Sequence, residues 1–118
     1  MWHLTLHRWT GDRAEAMKLL ERHRSWMRHQ QLAGRIIVAG PTPDREMGIM
    51  VFGHMTRAEL DEICRTDPFV EGGYREYEAI PWDVHHVLGI GGFDQTTVEA
   101  MRAAEERLDT ATSGAERE

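Results

Sequence analysis

The stretch RIIVAGPTPDREMGIMVFGH, residues 35–54, decides the fold of this chain. Residues 35–39 are rich in β-branched side chains and residues 47–54 are apolar, which is typical of two strands. Between them, Gly40-Pro41-Thr42-Pro43-Asp44 has the composition of a turn-rich loop. We therefore predict two strands that pair as a hairpin, with Gly40 and Pro41 in the loop that joins them.

A helix is predicted on each side of this hairpin. Before it, Asp12 and Glu15 form a capping box, and apolar residues then recur at helical spacing until Gly34 stops the helix after about residue 32. After it, Thr56 and Glu59 form a second capping box, and the helix that begins there is expected to end near residue 66. The hairpin is thus flanked by helices that need an apolar surface to pack on.

Two more strands are predicted outside the helices. Residues 2–8 alternate an apolar set with a polar set, which is the period of a half-buried strand. We expect the polar set to point away from the helices; it consists of His3, Thr5 and His7. A fourth strand is predicted over residues 74–80, directly after Gly72-Gly73.

The predicted order βαββαβ is that of ferredoxin-like α+β domains with a four-stranded antiparallel sheet. Because its helices cover one sheet face only, we expect a homodimer in which two sheets pack face to face. This domain is assigned to residues 1–82. Residues 83–109 form an extension with a helix capped by Thr96 and Glu99, and residues 110–118 are small and polar, so we expect a disordered tail.

Composition narrows the classes of partner. Twenty acidic against fourteen basic side chains give a net charge of −6, which repels nucleic acid. No apolar run approaches the roughly 20 residues of a membrane span, and the start of the chain lacks the features of a signal peptide. We therefore expect a cytoplasmic protein that binds neither nucleic acid nor membrane.

His23 and Asp67 are the candidates for chemistry. Both are ionisable groups in otherwise apolar segments, where such groups are costly unless they pair or react. Each also has a structural interpretation. His23 fits a hydrogen-bonded core histidine, and Asp67 followed by Pro68 fits a helix start, a role that is compatible with catalysis.

Other polar groups give weaker signals. His3 and His7 share a strand face, but the spacing supplies no third ligand, so we predict no metal site. His7 is a weaker candidate for a second acid or a substrate contact. The stretch Gly89-Ile90-Gly91-Gly92 lacks the dinucleotide fingerprint, and no organic cofactor is expected. Trp26, near His23 on the helix, offers a flat wall for a ring-shaped substrate.

Over residues 1–82 the chain resembles the YciI-like family of dimeric α/β-barrel proteins. The residues that carry this resemblance are His23, Leu32-Ala33-Gly34-Arg35, Ala39-Gly40-Pro41 and Thr66-Asp67-Pro68-Phe69-Val70 with Gly72 or Gly73. The resemblance implies that His23 and Asp67 pair in an active site. It also implies that Gly40, Pro41 and Phe69 lie at the substrate site, beside His7 and Trp26.

The leading hypothesis is a small cofactor-free enzyme that uses His23 as general base, oriented by Asp67. The substrate is expected to be a small cyclic or aromatic metabolite, and the reaction an elimination, dehydration or isomerisation. The resemblance supports this range, since the family includes a dehydrochlorinase of chlorinated hydroxyquinol breakdown. The alternatives are a non-catalytic binding or structural homodimer, favoured if His23 has no pocket beside it, and a cofactor-independent oxygenase.

Overall fold

The computed structural model describes residues 1–86 together with positions 100, 103 and 107. The chain divides into two units, Met1–Val84 and His85–Glu118. The helix predicted after Thr96 and the tail over residues 110–118 lie outside the described residues, except for three helical positions, Ala100, Ala103 and Arg107. Both therefore stay predictions.

Four strands form one antiparallel sheet in the order β2-β3-β1-β4. They are β1 (Trp2–Trp9), β2 (Ile36–Pro41), β3 (Met47–Phe52) and β4 (Arg75–Trp82). The helical segments are α1 (Arg13–Ala16), α2 (Leu20–Leu32), α3 (Arg57–Cys64) and α4 (Pro68–Glu71), with a 3₁₀ turn over Met17–Leu19. The α+β class and the predicted ferredoxin-like strand order are confirmed.

Local signals set the helix ends as predicted. The Asp12 carboxylate accepts hydrogen bonds from the backbone N–H groups of Ala14 and Glu15, and Thr56 accepts from the N–H of Glu59. At the other end of α2, Gly34 has φ +76°, a conformation that glycine adopts without strain. The single long helix predicted before the hairpin is, however, interrupted by the 3₁₀ turn that separates α1 from α2.

The predicted hairpin is confirmed, but the expectation that Gly40 and Pro41 lie in its loop is wrong. Both belong to β2, where Gly40 pairs with Ile49 and Pro41 with Gly48. Proline is tolerated there because β2 is an edge strand and one side of it needs no N–H donor. The loop is consequently shorter than predicted.

The expectation for the faces of β1 is also wrong. His3, Thr5 and His7 point toward the helices and are 3%, 0% and 0% exposed. Their cross-strand neighbours Met50 and Phe52 belong to the buried core, and strand alternation places the whole set on one face.

Hydrogen bonds offset part of the cost of this polar burial, although Nδ1 of both His3 and His7 is buried without a partner among the described residues. His3 Nε2 lies 3.0 Å from the carbonyl oxygen of Met55, and His7 Nε2 lies 2.9 Å from the Thr5 hydroxyl. Polar side chains thus line the buried face of the central strand, next to the helices.

The opposite sheet face carries an apolar surface, which we call the open face. One row of paired residues crosses all four strands on it, and consists of Val38, Val51, Leu4 and Ile80. Val38 is 40% exposed and Ile80 is 41% exposed. Among the described residues, no helix combines the length and apolar character that crossing a bilayer requires.

Candidate active site

His23 and Asp67 meet between α2 and the start of α4, as the sequence hypothesis requires. His23 Nδ1 lies 2.8 Å from Asp67 Oδ1, and the two residues are 9% and 0% exposed. Because an ionised carboxylate has no proton to donate, the imidazole Nδ1–H is the donor. Nε2, the other ring nitrogen, then carries the lone pair, and it makes no hydrogen bond within the described part of the chain.

Asp67 is also the N-cap of α4. Its Oδ1 accepts a second hydrogen bond from the backbone N–H of Phe69 at 3.1 Å, and Pro68 occupies the first helical position. Oδ2 is buried and has no hydrogen-bond partner among the described residues. One carboxylate oxygen therefore joins the helix start to the imidazole, and both interpretations of Asp67 hold together.

Aromatic rings surround the imidazole. The ring of Phe69 stacks on His23 with centroids 4.4 Å apart, and the ring of Trp26 lies 6.0 Å away at an interplanar angle of 26°. Trp26 is held in place by its indole N–H, which donates to the Thr66 hydroxyl at 2.8 Å. Both aromatic residues that were predicted for a substrate site thus adjoin His23.

His7 lies in the interior of the same region. Its ring stacks on Tyr77 at 5.5 Å, and burial lowers its pKa from 6.5 to about 4. The charge of Asp67 opposes this shift, whereas Arg75 and His23 add to it. His7 is therefore a neutral imidazole at neutral pH, and its substrate role stays a prediction.

Gly40 and Pro41 lie apart from this cluster. Both are exposed on the edge strand β2, and Pro41 is in the same cross-strand row as His7, two strands away. In the part of the chain that the structure describes, no hydrogen bond or ring contact joins either residue to the histidine-aspartate pair. Their role at a substrate site stays a prediction.

Arg75, at the start of β4, is a site residue that the sequence interpretation missed. It is 9% exposed, and its guanidinium carbon lies 4.9 Å from the centroid of the Phe69 ring. The signal was available in the strand pattern, since Arg75 alternates with Tyr77 on the helix-facing side while Glu76 and Glu78 are exposed.

Two other ionisable groups of the interior are held neutral. Burial raises the pKa of the Cys64 thiol to about 12, with further contributions from Asp67 and Asp61. Burial, together with the hydrogen bond that Tyr77 donates to Asp61 at 2.6 Å, raises the pKa of the Tyr77 phenol. Neither group is activated as a nucleophile or a base.

A cleft of about 490 Å³ lies beside α2. His23 and Met27 line it together with polar residues of the same helix, such as Arg24 and Arg28. His23 is therefore buried on its Asp67 side and borders open space on another. In residues 1–86 and the three further described positions, no group of three or more His, Cys, Asp or Glu side chains is placed to hold a metal ion.

The fold and the buried pair define a class: a ferredoxin-like α+β domain with a histidine-carboxylate dyad under aromatic rings. The YCII-related domain family matches residues 1–83, and the chain belongs to that family. The resemblance inferred from the sequence motifs is thereby confirmed.

A solved structure supports the fold. The 5-chloro-2-hydroxyhydroquinone dehydrochlorinase of Burkholderia phenoliruptrix, in complex with 2,5-dihydroxybenzoquinone, superposes with a TM-score of 0.58 at 17% identity. The match covers 70% of this chain and 94% of the dehydrochlorinase. No curated protein matches the sequence.

The neutral, buried state of His7 predicts an acid sensitivity. Its folded pKa of about 4 is below the value of 6.5 that it regains on unfolding, so the unfolded state binds more protons in this window. His7 contributes no pH dependence above pH 6.5, and as the pH falls from 6.5 to 4 it should cost about 3 kcal/mol of stability. Urea unfolding of wild type and His7→Gln across this range measures the difference. Parallel curves for the two proteins would contradict the assignment.

Proposed function

We propose that this protein is an enzyme that abstracts a proton from a small cyclic or aromatic substrate, with His23 as general base. The observation that carries the proposal is the 2.8 Å hydrogen bond from His23 Nδ1 to the fully buried Asp67. It fixes the tautomer in which Nε2 is unprotonated, and it leaves that atom without a partner in the described residues. The proton taken from carbon is then returned to a leaving group or to another carbon.

The burial of Asp67 strengthens its interaction with the protonated form of His23. When Nε2 takes a proton, the ring becomes an imidazolium directly against a carboxylate in a low-dielectric interior, where their attraction is stronger than in water. The charge pair forms only as the proton moves, so it stabilises the transition state more than the ground state. This chemistry requires no organic cofactor, because a general base is sufficient for elimination or isomerisation when the substrate has an acidic C–H bond.

The aromatic surroundings support a flat substrate. The rings of Phe69 and Trp26 lie within 6.0 Å of the imidazole centroid, and such walls favour a ring-shaped ligand. The dehydrochlorinase that shares this fold acts on a chlorinated hydroxyhydroquinone, so compounds of that class are the first substrates to test. In the keto tautomer of such a ring the C–Cl carbon is saturated, so a base that removes a hydroxyl proton forms the quinone as chloride leaves, which is within the chemistry of the same general base.

A non-catalytic homodimer is the second candidate, and one observation favours it. Asp67 caps α4 and His23 is mostly buried, so the same hydrogen bond would help to hold α2 against α4 without any chemistry. The cleft that borders His23 supports the catalytic proposal instead. Substitution of His23 separates the two, because a structural role affects stability and a catalytic role affects turnover.

The first prediction of the proposed function is that wild type catalyses hydrogen-deuterium exchange at an acidic carbon of its substrate, whichever product follows. A panel of hydroxyhydroquinones, 2,5-dihydroxybenzoquinone and cyclic hydroxy ketones in D₂O, followed by proton NMR, measures this exchange. His23→Gln should lower the rate by roughly 10² to 10⁴, the usual weight of one general base. The matched control is His29→Gln, which removes an exposed histidine from the same helix and should leave the rate unchanged.

Two outcomes would overturn this assignment. If wild type and a folded His23→Gln protein exchange hydrogen at equal rates, His23 is not the base, and its hydrogen bond to Asp67 has a structural role only. Turnover that consumes O₂ in proportion to product would point to a cofactor-independent oxygenase.

The second prediction concerns Asp67→Asn. The amide oxygen can still accept the N–H of Phe69, so the cap of α4 should be kept and the loss of stability should be modest. The negative charge that stabilises the imidazolium is lost, and the amide can hold the ring in the wrong tautomer. We expect turnover to fall by a factor comparable to that of His23→Gln. A variant with full turnover would show that Asp67 has only its capping role.

We further propose that two chains assemble through the open face of the sheet. The row formed by Val38, Val51, Leu4 and Ile80 is apolar across all four strands, and covering it would remove a large apolar area from water. A twofold axis pairs such a face with its own copy. The helix-facing side would then remain free to hold the active site.

The third prediction follows from this assembly. Sedimentation at micromolar concentration should give twice the 13.6 kDa mass of the chain for wild type. Val51→Glu places a charge in the centre of the open face and should produce monomers, while Ala58→Glu adds the same charge on exposed α3 and should leave the dimer intact. A wild-type monomer at this concentration would rule the dimer out.

A further inference from the structure

Arg75 is a buried cation whose side chain makes no hydrogen bond to any described residue. It is 9% exposed, its Nε is buried without a partner, and within the described residues no hydrogen bond or ion pair involves its guanidinium. A guanidinium presents five N–H donors, and burying it without acceptors is costly. Such a group, packed against the Phe69 ring that stacks on His23, is a candidate for binding an acceptor that comes from outside the protein.

Aromatic rings hold this guanidinium in place, but they offer few acceptors for its hydrogen bonds. Its central carbon lies 4.2 Å from the Trp9 ring centroid and 4.9 Å from that of Phe69, so two aromatic faces stabilise the charge. Gly48 on β3 supplies the space, since a Cβ atom there would lie 3.2 Å from Nη1 of Arg75. Aromatic faces attract the cation but accept few of its hydrogen bonds.

The charges near Arg75 are compatible with the binding of an anion. Burial lowers the pKa of Arg75, Asp67 opposes this effect, and Arg13 adds to it. The Arg13 guanidinium carbon lies 5.4 Å from the same Trp9 ring, but Arg13 is already paired with Glu46 at 2.9 Å. Asp67 is the one negative charge that acts on Arg75 among the described groups, and both hydrogen bonds to that carboxylate come from other residues.

We propose that Arg75 binds an anionic oxygen of the substrate, either a carboxylate or a phenolate. This inference rests on the proposed function and narrows its substrate class to small cyclic or aromatic anions. Phe69 joins the two functional groups, because its ring centroid lies 4.4 Å from that of His23 and 4.9 Å from the guanidinium carbon of Arg75. A bound anion also favours the imidazolium that forms when His23 takes up a proton.

Binding of simple probes tests this role without turnover. Calorimetry at fixed ionic strength compares benzoate with its neutral analogue benzamide, and adds 4-nitrophenolate as the phenolate. Wild type should bind benzoate or 4-nitrophenolate at least about tenfold more tightly than benzamide, the weight of one charge-assisted hydrogen bond. A preference for benzoate alone assigns the site to carboxylates, and a preference for 4-nitrophenolate alone assigns it to phenolates.

Substitutions test which residue causes the preference for anionic probes. Arg75→Met keeps an apolar stem without the charge and should bind all three probes equally, whereas Arg75→Lys keeps the charge without the planar fork and should retain part of the preference. The matched control is Arg8→Met, which removes an exposed arginine from β1 and should bind as wild type does. If Arg75→Met fails to fold, Arg75→Lys and the wild-type comparison still decide the outcome.

The inference is overturned if wild type binds benzoate, 4-nitrophenolate and benzamide equally, or if folded Arg75→Met keeps the preference. Loss of the preference in Arg8→Met would likewise overturn it, because a general charge effect would then explain the binding. His23→Gln separates this inference from the proposed function, since it should keep the anion preference while turnover is lost. If His23→Gln keeps both, the anion site stands and the proposed base is wrong.

Discussion

The structure depends on the complete burial of one carboxylate. Asp67 is 0% exposed, and an ion in that position is tolerated only if it is hydrogen-bonded and faces positive charge. Two donors, the His23 imidazole and the N–H of Phe69, reach the same oxygen, and the charge of Arg75 acts on it from β4. Parts of α2, α4 and β4 therefore lie close to the Asp67 carboxylate. The candidate site is located where these three elements meet.

The fold and the site constrain each other through this contact. Capping at Asp12 and the stop at Gly34 fix the extent of the α1–α2 segment, and so set which of its residues faces Asp67. The polar inner face of β1 then packs beneath the helices, with His7 held neutral by burial. An interior of this kind is unusual for a small core, because several of its buried side chains are polar or ionisable.

Sequence patterns predicted the strand and helix order, because capping boxes and glycine stops are local signals. The pairing of His23 with Asp67 was implied by the family resemblance. Sequence patterns failed where the answer depends on tertiary packing. Alternation along residues 2–8 shows two faces but does not say which one meets the helices; Met50 and Phe52 on the neighbouring strand decide that. Arg75 was missed although it alternates with Tyr77 along β4, because a charged residue at a strand end is expected to be exposed and only the tertiary fold brings the Trp9 and Phe69 rings against it.

The central claim is that Asp67 fixes the tautomer of His23 and leaves Nε2 as the base. Nitrogen-15 NMR of the histidine ring, recorded where the imidazole is neutral, tests this directly. The account predicts a protonated Nδ1 whose hydrogen exchanges slowly with water, an unprotonated Nε2, and loss of this pattern in Asp67→Asn. A neutral ring protonated on Nε2, or a spectrum unchanged by Asp67→Asn, would contradict it.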